Sequence, residues 1–125
     1  MPSMDHRRAL LVDAFTDVPF AGNAAGVVPD GRGLADSQMQ QIANELGASE
    51  TAFVLASDPA DLRLRFFTPT TEVSLCGHAT VASLSTRLHD GDIATGEHTI
   101  ETGAGVLEVT VPKASRRETR VPIAG

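Results

Sequence analysis

The sequence predicts an α+β domain with mostly antiparallel strand pairing, on three observations. Two stretches, 36–47 and 77–89, carry apolar residues at helical spacing. Around them lie short segments rich in Val, Leu, Ile, Phe and Thr, some with alternating polarity. The links between these segments are short and marked by Gly, Pro, Asp and Asn.

In chain order, residues 8–14 (Arg8 to Ala14) read as a mostly buried strand. From Phe15 to Ala24, the residues Pro19, Gly22 and Asn23 mark a loop with at least one unusual backbone angle. Ala25 to Val28 is a short strand, closed by the turn residues Pro29 to Gly33. The first helix has Asp36 or Ser37 as its cap, Ser37 and Gln40 at capping-box spacing, and Gly47 as its stop. Met39, Ile42, Ala43 and Leu46 form its apolar stripe. Ser49 to Leu55 begins a strand, Asp58 to Asp61 turns, and residues 62–67 alternate with Arg63 and Arg65 toward solvent. Pro69 blocks its continuation. Helix 77–89 presents Val81, Leu84 and Leu88 on one face, while Ala79, Ala82 and Ser83 permit close approach. Thr99 to Thr102 and Val106 to Val111 form a hairpin turned at Gly103 to Gly105. Residues 8–112 thus make one domain, and 113–125 read as a loose polar tail or the start of a linker.

Composition narrows the function classes. A chain of 125 residues, 42% hydrophobic and 21% charged, suits one soluble domain with a single core. It has no apolar run of membrane-spanning length, and the stretch Met1 to Arg8 lacks a secretory apolar region, so a cytoplasmic protein is expected. A net charge of −6 without a basic stripe argues against nucleic acid as a partner. The single cysteine excludes an internal disulfide and a multi-cysteine zinc site. With no Trp, no Tyr and five Phe, the core is aliphatic and of modest stability, which favours a partner surface.

Three residues are candidates for chemistry. Glu50 follows a helix stop and precedes Ala52, Phe53 and Val54, where partial desolvation would suit a general base; a solvated carboxylate at a strand edge is the plainer alternative. Cys76 stands at the start of a helix, where orphan N–H groups favour a thiolate; a small buried hydrophobe is the alternative. His78 follows Gly77, which lets backbone approach a ligand, and an imidazole there would hold a carboxylate or shuttle a proton; a capping or packing histidine is the alternative. His6, His89 and His98 have no ligand spacing to Cys76, so no metal site is expected. The glycines near Gly31 and Gly103 make no phosphate loop, and no cofactor is expected.

Several motifs in matching order then point to a family. They are Val12 to Asn23 (VDAFTDVPFAGN), Met39 to Ala43 leading to Ser49-Glu-Thr-Ala-Phe53, Arg65 to Glu72 (RFFTPTTE), Leu75 to Thr80 (LCGHAT), and Glu101 to Leu107 (ETGAGVL). From about Leu11 to Val111 the chain resembles the N-terminal half of the PhzF-like proteins of phenazine biosynthesis, which share the diaminopimelate epimerase fold. The resemblance implies a lobe of mostly antiparallel strands wrapped around a central helix. It also implies an isomerase in which Glu50 is the acid/base moving a proton on a small carboxylated substrate. His78 would be the second catalytic residue, with Gly77, Asn23 and Cys76 lining the substrate site. Cys76 falls where related epimerases carry one of two opposed catalytic thiols; with one cysteine, a two-thiol epimerisation within this chain is excluded.

The chain departs from the family pattern at Ala24, where proline is frequent, and at Ser74, where an acidic residue is frequent. The larger departure is length, since the resemblance implies two lobes with the site between them. Two expectations follow. In one, the chain is an isomerase lobe completed by a second lobe, from further sequence, another chain or a homodimer. In the other, it is a non-catalytic lobe that pairs with another chain.

Overall fold

The structure is a computed structural model that describes residues 8–13, 25–91, 93–111 and 117–122. Its elements are β1 (Arg8–Asp13), β2 (Ala25–Val28), α1 (Asp36–Leu46), β3 (Thr51–Leu55), β4 (Leu62–Phe67), β5 (Glu72–Val73), α2 (Gly77–His89), β6 (Gly96–Thr102), β7 (Gly105–Val111) and β8 (Arg117–Pro122). The strands form one sheet in the order β7-β6-β4-β3-β2-β1-β8, with β5 paired to β4 off that path. Pairing is antiparallel except at β2/β3 and β4/β6. The α+β expectation therefore holds, as a mixed sheet with two helices.

Those two parallel pairs explain where the helices lie. The β2-to-β3 connection contains α1, and the β4-to-β6 connection contains α2. Both connections step the same way along the sheet, but β2 and β4 run in opposite directions, because β3/β4 is antiparallel. Right-handed crossovers must then place the two helices on opposite faces. They do. Leu10, Val12, Val27, Ala52, Leu64 and Phe66 point toward α2, whereas Ala9, Val28, Phe53 and Phe67 point toward Met39, Ile42 and Ala43 of α1. Phe53 and Phe67 meet edge to face at 5.4 Å between ring centroids, so two of the five phenylalanines anchor the α1 side.

Helix α2 has the expected bounds, and Leu84, Leu88, Ala79, Ala82 and Ser83 pack as expected, joined by Thr80, Ser85 and Thr86. Val81 alone departs, at 40% exposed. The helix is packed through small side chains, so its backbone comes close to the strands. The hydroxyls that this buries are satisfied inside the helix: Thr80 Oγ1 donates to Cys76 O at 2.8 Å, Ser83 Oγ to Thr80 O at 3.0 Å, and Thr86 Oγ1 to Ala82 O at 2.9 Å. Apolar periodicity passes over Thr80 and Thr86, because hydroxyls that bond within the helix behave as small, packable groups.

Other expectations are corrected in the same way. The cap of α1 is Ala35, not Asp36 or Ser37, and its N–H donates to Gln38 Oε1 at 2.7 Å. Asp36 is drawn away to Arg65, whose Nη1 reaches Asp36 Oδ1 at 2.7 Å. Arg65 does not face solvent freely: its side chain is 14% exposed and is also held by Glu72 at 2.8 Å. Residues 117–122, expected to be loose, form β8, antiparallel to β1 from Arg8↔Pro122 to Asp13↔Arg117. Strand pairing is made by backbone groups, so a polar stretch beside an open edge joins it without an apolar signal. Residues 112–116 and 123–125 lie outside the described residues, as does the loop expected from Phe15 to Ala24 with Asn23. No helix among the described residues is long and apolar enough to cross a membrane.

Candidate functional site

Two backbone devices bring Glu50 to the start of α2. Gly47 ends α1 in the left-handed conformation (φ 69°) with its N–H bonded to Ala43 O, which turns the chain back toward the sheet. Gly26 of β2 then donates its N–H to Glu50 O at 2.9 Å and pairs in register with Thr51. A Cβ on Gly26 would stand 2.5 Å from Thr51 Oγ1, so glycine is what lets β3 approach β2 this closely. The carboxylate of Glu50 is thereby fixed at the mouth of the strand.

Cys76 arrives from the other side. It is the N-cap of α2, with extended backbone (φ −144°, ψ 118°), and its carbonyl accepts Thr80 N–H at 3.0 Å. The segment leading to it is tied down along its length. Gln40 Nε2 donates to Thr68 O at 2.9 Å, Asn44 Nδ2 to Pro69 O at 3.1 Å, and the Arg65 guanidinium grips Glu72 through two bonds of 2.8 Å. Thr68 Oγ1 closes the turn by accepting Thr71 N–H at 3.0 Å. The hairpin turn presses on the same segment, since a Cβ on Gly103 would lie 2.9 Å from Ser74 Cα.

The side chains of Glu50, Cys76 and His78 converge. Cys76 Sγ donates to Glu50 Oε1 at 3.0 Å and lies 3.3 Å from His78 Nδ1. His78 Nε2 lies 3.5 Å from Glu50 Oε1 but makes no hydrogen bond among the described residues, although the atom is buried. The glutamate and imidazole side chains are 22% and 18% exposed, so they are partly dry yet reachable. Gly77 stands between, exposed, with nothing within 4 Å of the place a Cβ would take. Neither the backbone angle nor the packing of the described residues demands a glycine there; the open space above the first turn is what its missing side chain provides.

Burial and the hydrogen bond to the Glu50 carboxylate push the Cys76 thiol above its usual range, against a smaller pull from the N–H groups of Ala79 and His78. The helix terminus alone favours a thiolate; burial first, and the neighbouring carboxylate second, reverse the balance, and the sulfur keeps its proton at neutral pH. Chemically, the corner offers a carboxylate able to accept a proton, a neutral thiol holding that carboxylate in place, and an imidazole edge beside both. The three donor atoms lie within 4.8 Å of one another, so the same residues could also hold a metal ion.

Of the residues singled out from sequence, Glu50, Cys76, Gly77 and His78 come together, and Asn23 lies outside the described residues. His98 is elsewhere, bonded to Ala94 O at 2.7 Å and near Asp61. Sequence reasoning passed over the positioning set of Gly26, Gln40, Asn44, Arg65 and Glu72. The i, i+4 spacing of Gln40 and Asn44 on α1 was the available signal, since two amides on one helix face can hold a neighbouring loop.

Comparison with known proteins bears on the fold and the family. The family model described as "Phenazine biosynthesis-like protein" (PhzC-PhzF) matches residues 12–123. The Bacillus subtilis protein named "Uncharacterized isomerase YfhB" is 45% identical over 121 residues, covering 96% of this chain and 40% of that protein. The crystal structure of a Bacillus anthracis phenazine biosynthesis protein of the PhzF family superimposes with a TM-score of 0.82 at 44% identity, covering 86% of this chain and 36% of that one. A hydroxyproline epimerase from Agrobacterium vitis, at 14% identity and a TM-score of 0.58, shares the fold. The chain thus spans 40% or less of the length of each of these.

Proposed function

The chain belongs to the phenazine biosynthesis-like (PhzC-PhzF) family, and on that premise we propose that it is the N-terminal lobe of a cytoplasmic isomerase that shifts a proton on a small carboxylated metabolite. Glu50 accepts and returns the proton. His78 orients the substrate carboxylate, Gly77 leaves room for it against the first turn of α2, and Asn23 and Cys76 complete this half of the pocket. The observation that carries the reading is the convergence of Glu50, Cys76 and His78 at a partly dry helix mouth, from segments 26 and 28 residues apart in the chain. A chain spanning 36–40% of such relatives supplies half of a two-lobed site, which a second lobe or a second chain closes.

The test is solvent-deuterium incorporation into a panel of small carboxylic acids bearing an acidic C–H, catalysed by the protein with its second lobe present. Glu50→Gln should lower the exchange rate by about 10²–10⁴-fold while the far-ultraviolet circular dichroism is unchanged. Exchange at the native rate in that variant overturns the assignment. If neither protein exchanges any acid of the panel, the alternative of a non-catalytic pairing lobe takes its place; Leu75, Val81 and Val106, which remain 40–50% exposed, give it a surface.

A further inference from the structure

We propose that Glu50, Cys76 and His78 form a capture site for a borderline-soft divalent cation of the Zn²⁺ type, and that its occupation locks the corner. The ligand set is chemically distinctive: one sulfur, one imidazole nitrogen and one carboxylate oxygen, the three donor types that zinc accepts. Tetrahedral zinc with bonds of about 2.0–2.3 Å needs its ligand atoms about 3.3–3.7 Å apart. The structure already holds Sγ 3.0 Å from Glu50 Oε1 and 3.3 Å from His78 Nδ1, with Glu50 Oε1 3.5 Å from His78 Nε2. The two imidazole distances belong to different ring nitrogens, so the His78 ring must turn to bring one of them to both partners. The imidazole contributes one nitrogen only.

Two further features favour capture. His78 Nε2 is buried without a hydrogen-bond partner among the described residues, so the ring can turn toward a cation without breaking a bond at that nitrogen. The Glu50 and Cys76 backbones are held by the β2 ladder and the α2 N-cap, so the ligands are pre-positioned on different elements. As the metal–sulfur bond forms, the Cys76 thiol releases its proton to solvent, and the cation takes the place of the hydrogen bond to Glu50. Three protein ligands leave a fourth position for water. This site lies wholly within the chain, so binding needs no second lobe. Its consequence, loss of the proton-accepting oxygen and therefore inhibition, rests on the function proposed above.

The test titrates the chain with ZnCl₂ by calorimetry and with CoCl₂ by absorption. One saturable equivalent is expected, with a sulfur-to-cobalt charge-transfer band in the near ultraviolet. Cys76→Ala should abolish the band and weaken Zn²⁺ binding about 100-fold, and His78→Asn should weaken it at least tenfold. Protection of the native thiol from a disulfide reagent by saturating Zn²⁺ gives a reading that depends on no variant. Absence of saturable binding, a thiol equally reactive with and without Zn²⁺, or undiminished binding in Cys76→Ala overturns the proposal. Zn²⁺ binding as described, with no acid of the panel exchanged when the second lobe is present, supports the metal site and sinks the isomerase; exchange there without Zn²⁺ binding does the reverse.

Discussion

The Cys76 thiol donates to Glu50 Oε1 across 3.0 Å, and this contact joins the cap of α2 to the residue just before β3. Burial and then this carboxylate make thiolate formation at Cys76 costly. Cys76 should therefore react slowly with iodoacetamide at neutral pH, with a rate-versus-pH midpoint above that of an unperturbed cysteine. Glu50→Gln removes the negative charge and should bring the midpoint down. The pH dependence of alkylation, followed by mass spectrometry, checks this; an unchanged midpoint would show that burial alone holds the thiol.

The close approach of β2 to β3 makes a paired prediction. Gly26→Ala places a methyl group 2.5 Å from Thr51 Oγ1 and should destabilise the chain by about 1–3 kcal/mol. Thr51→Val acts in the opposite direction. Thr51 Oγ1 is buried without a hydrogen-bond partner among the described residues, so replacing the hydroxyl by a methyl should stabilise by about 1 kcal/mol. Urea denaturation of both variants gives the signs. A Gly26→Ala variant as stable as the native chain would mean that the strands part without cost.

Much of this molecule can be read in the residues, and the limits are physical. Gly47 stopped α1 where expected, because a left-handed position leaves few other residues. Helix α2 had its bounds legible in the run after Gly77, and Ala79, Ala82, Ser83 and Leu84 marked its packed face; Thr80 and Thr86 did not, since they are polar letters that bond within the helix. Glu50 and His78 could be nominated singly. Their meeting was expected only through the family resemblance, because β2 and β3 pair in parallel, and a parallel register leaves no local mark of the kind a hairpin turn leaves. Residues 117–122 failed for a similar reason: their place is fixed by the edge of β1, not by their own composition.

Acid should find the Arg65 clamp. The guanidinium holds the Glu72 carboxyl below its ordinary value, through a side-chain hydrogen bond first and its charge second. A carboxyl depressed on folding stabilises above its unfolded pKa, and that contribution disappears as pH falls through the folded value. Because the Glu72 side chain is 42% exposed, solvent screening limits the gain to about 0.5–1 kcal/mol. Glu72→Gln should thus lower stability at pH 7 by that amount, with the difference from the native chain shrinking as pH falls through the folded value. Denaturation curves at pH 7 and pH 3 test the sign, and a difference that grows toward acid would contradict it.

The two faces of α2 should respond oppositely to substitution. Val81 belongs to the apolar stripe by periodicity but is 40% exposed, so Val81→Lys should change stability by no more than about 0.5 kcal/mol. Ser83, expected to permit close approach, has no exposed area, and its hydroxyl bonds to Thr80 O at 3.0 Å. Ser83→Leu would force a branched side chain into the contact between helix and sheet, at about 1–3 kcal/mol. Because α2 carries Cys76 at its cap and His78 in its first turn, a helix pushed outward also draws both away from Glu50. Ser83→Leu should therefore raise the iodoacetamide reactivity of Cys76 while Val81→Lys leaves it unchanged. Thermal unfolding and alkylation rate measured on the same samples decide the matter: equal losses of stability in the two variants would restore the apolar-stripe orientation of the helix.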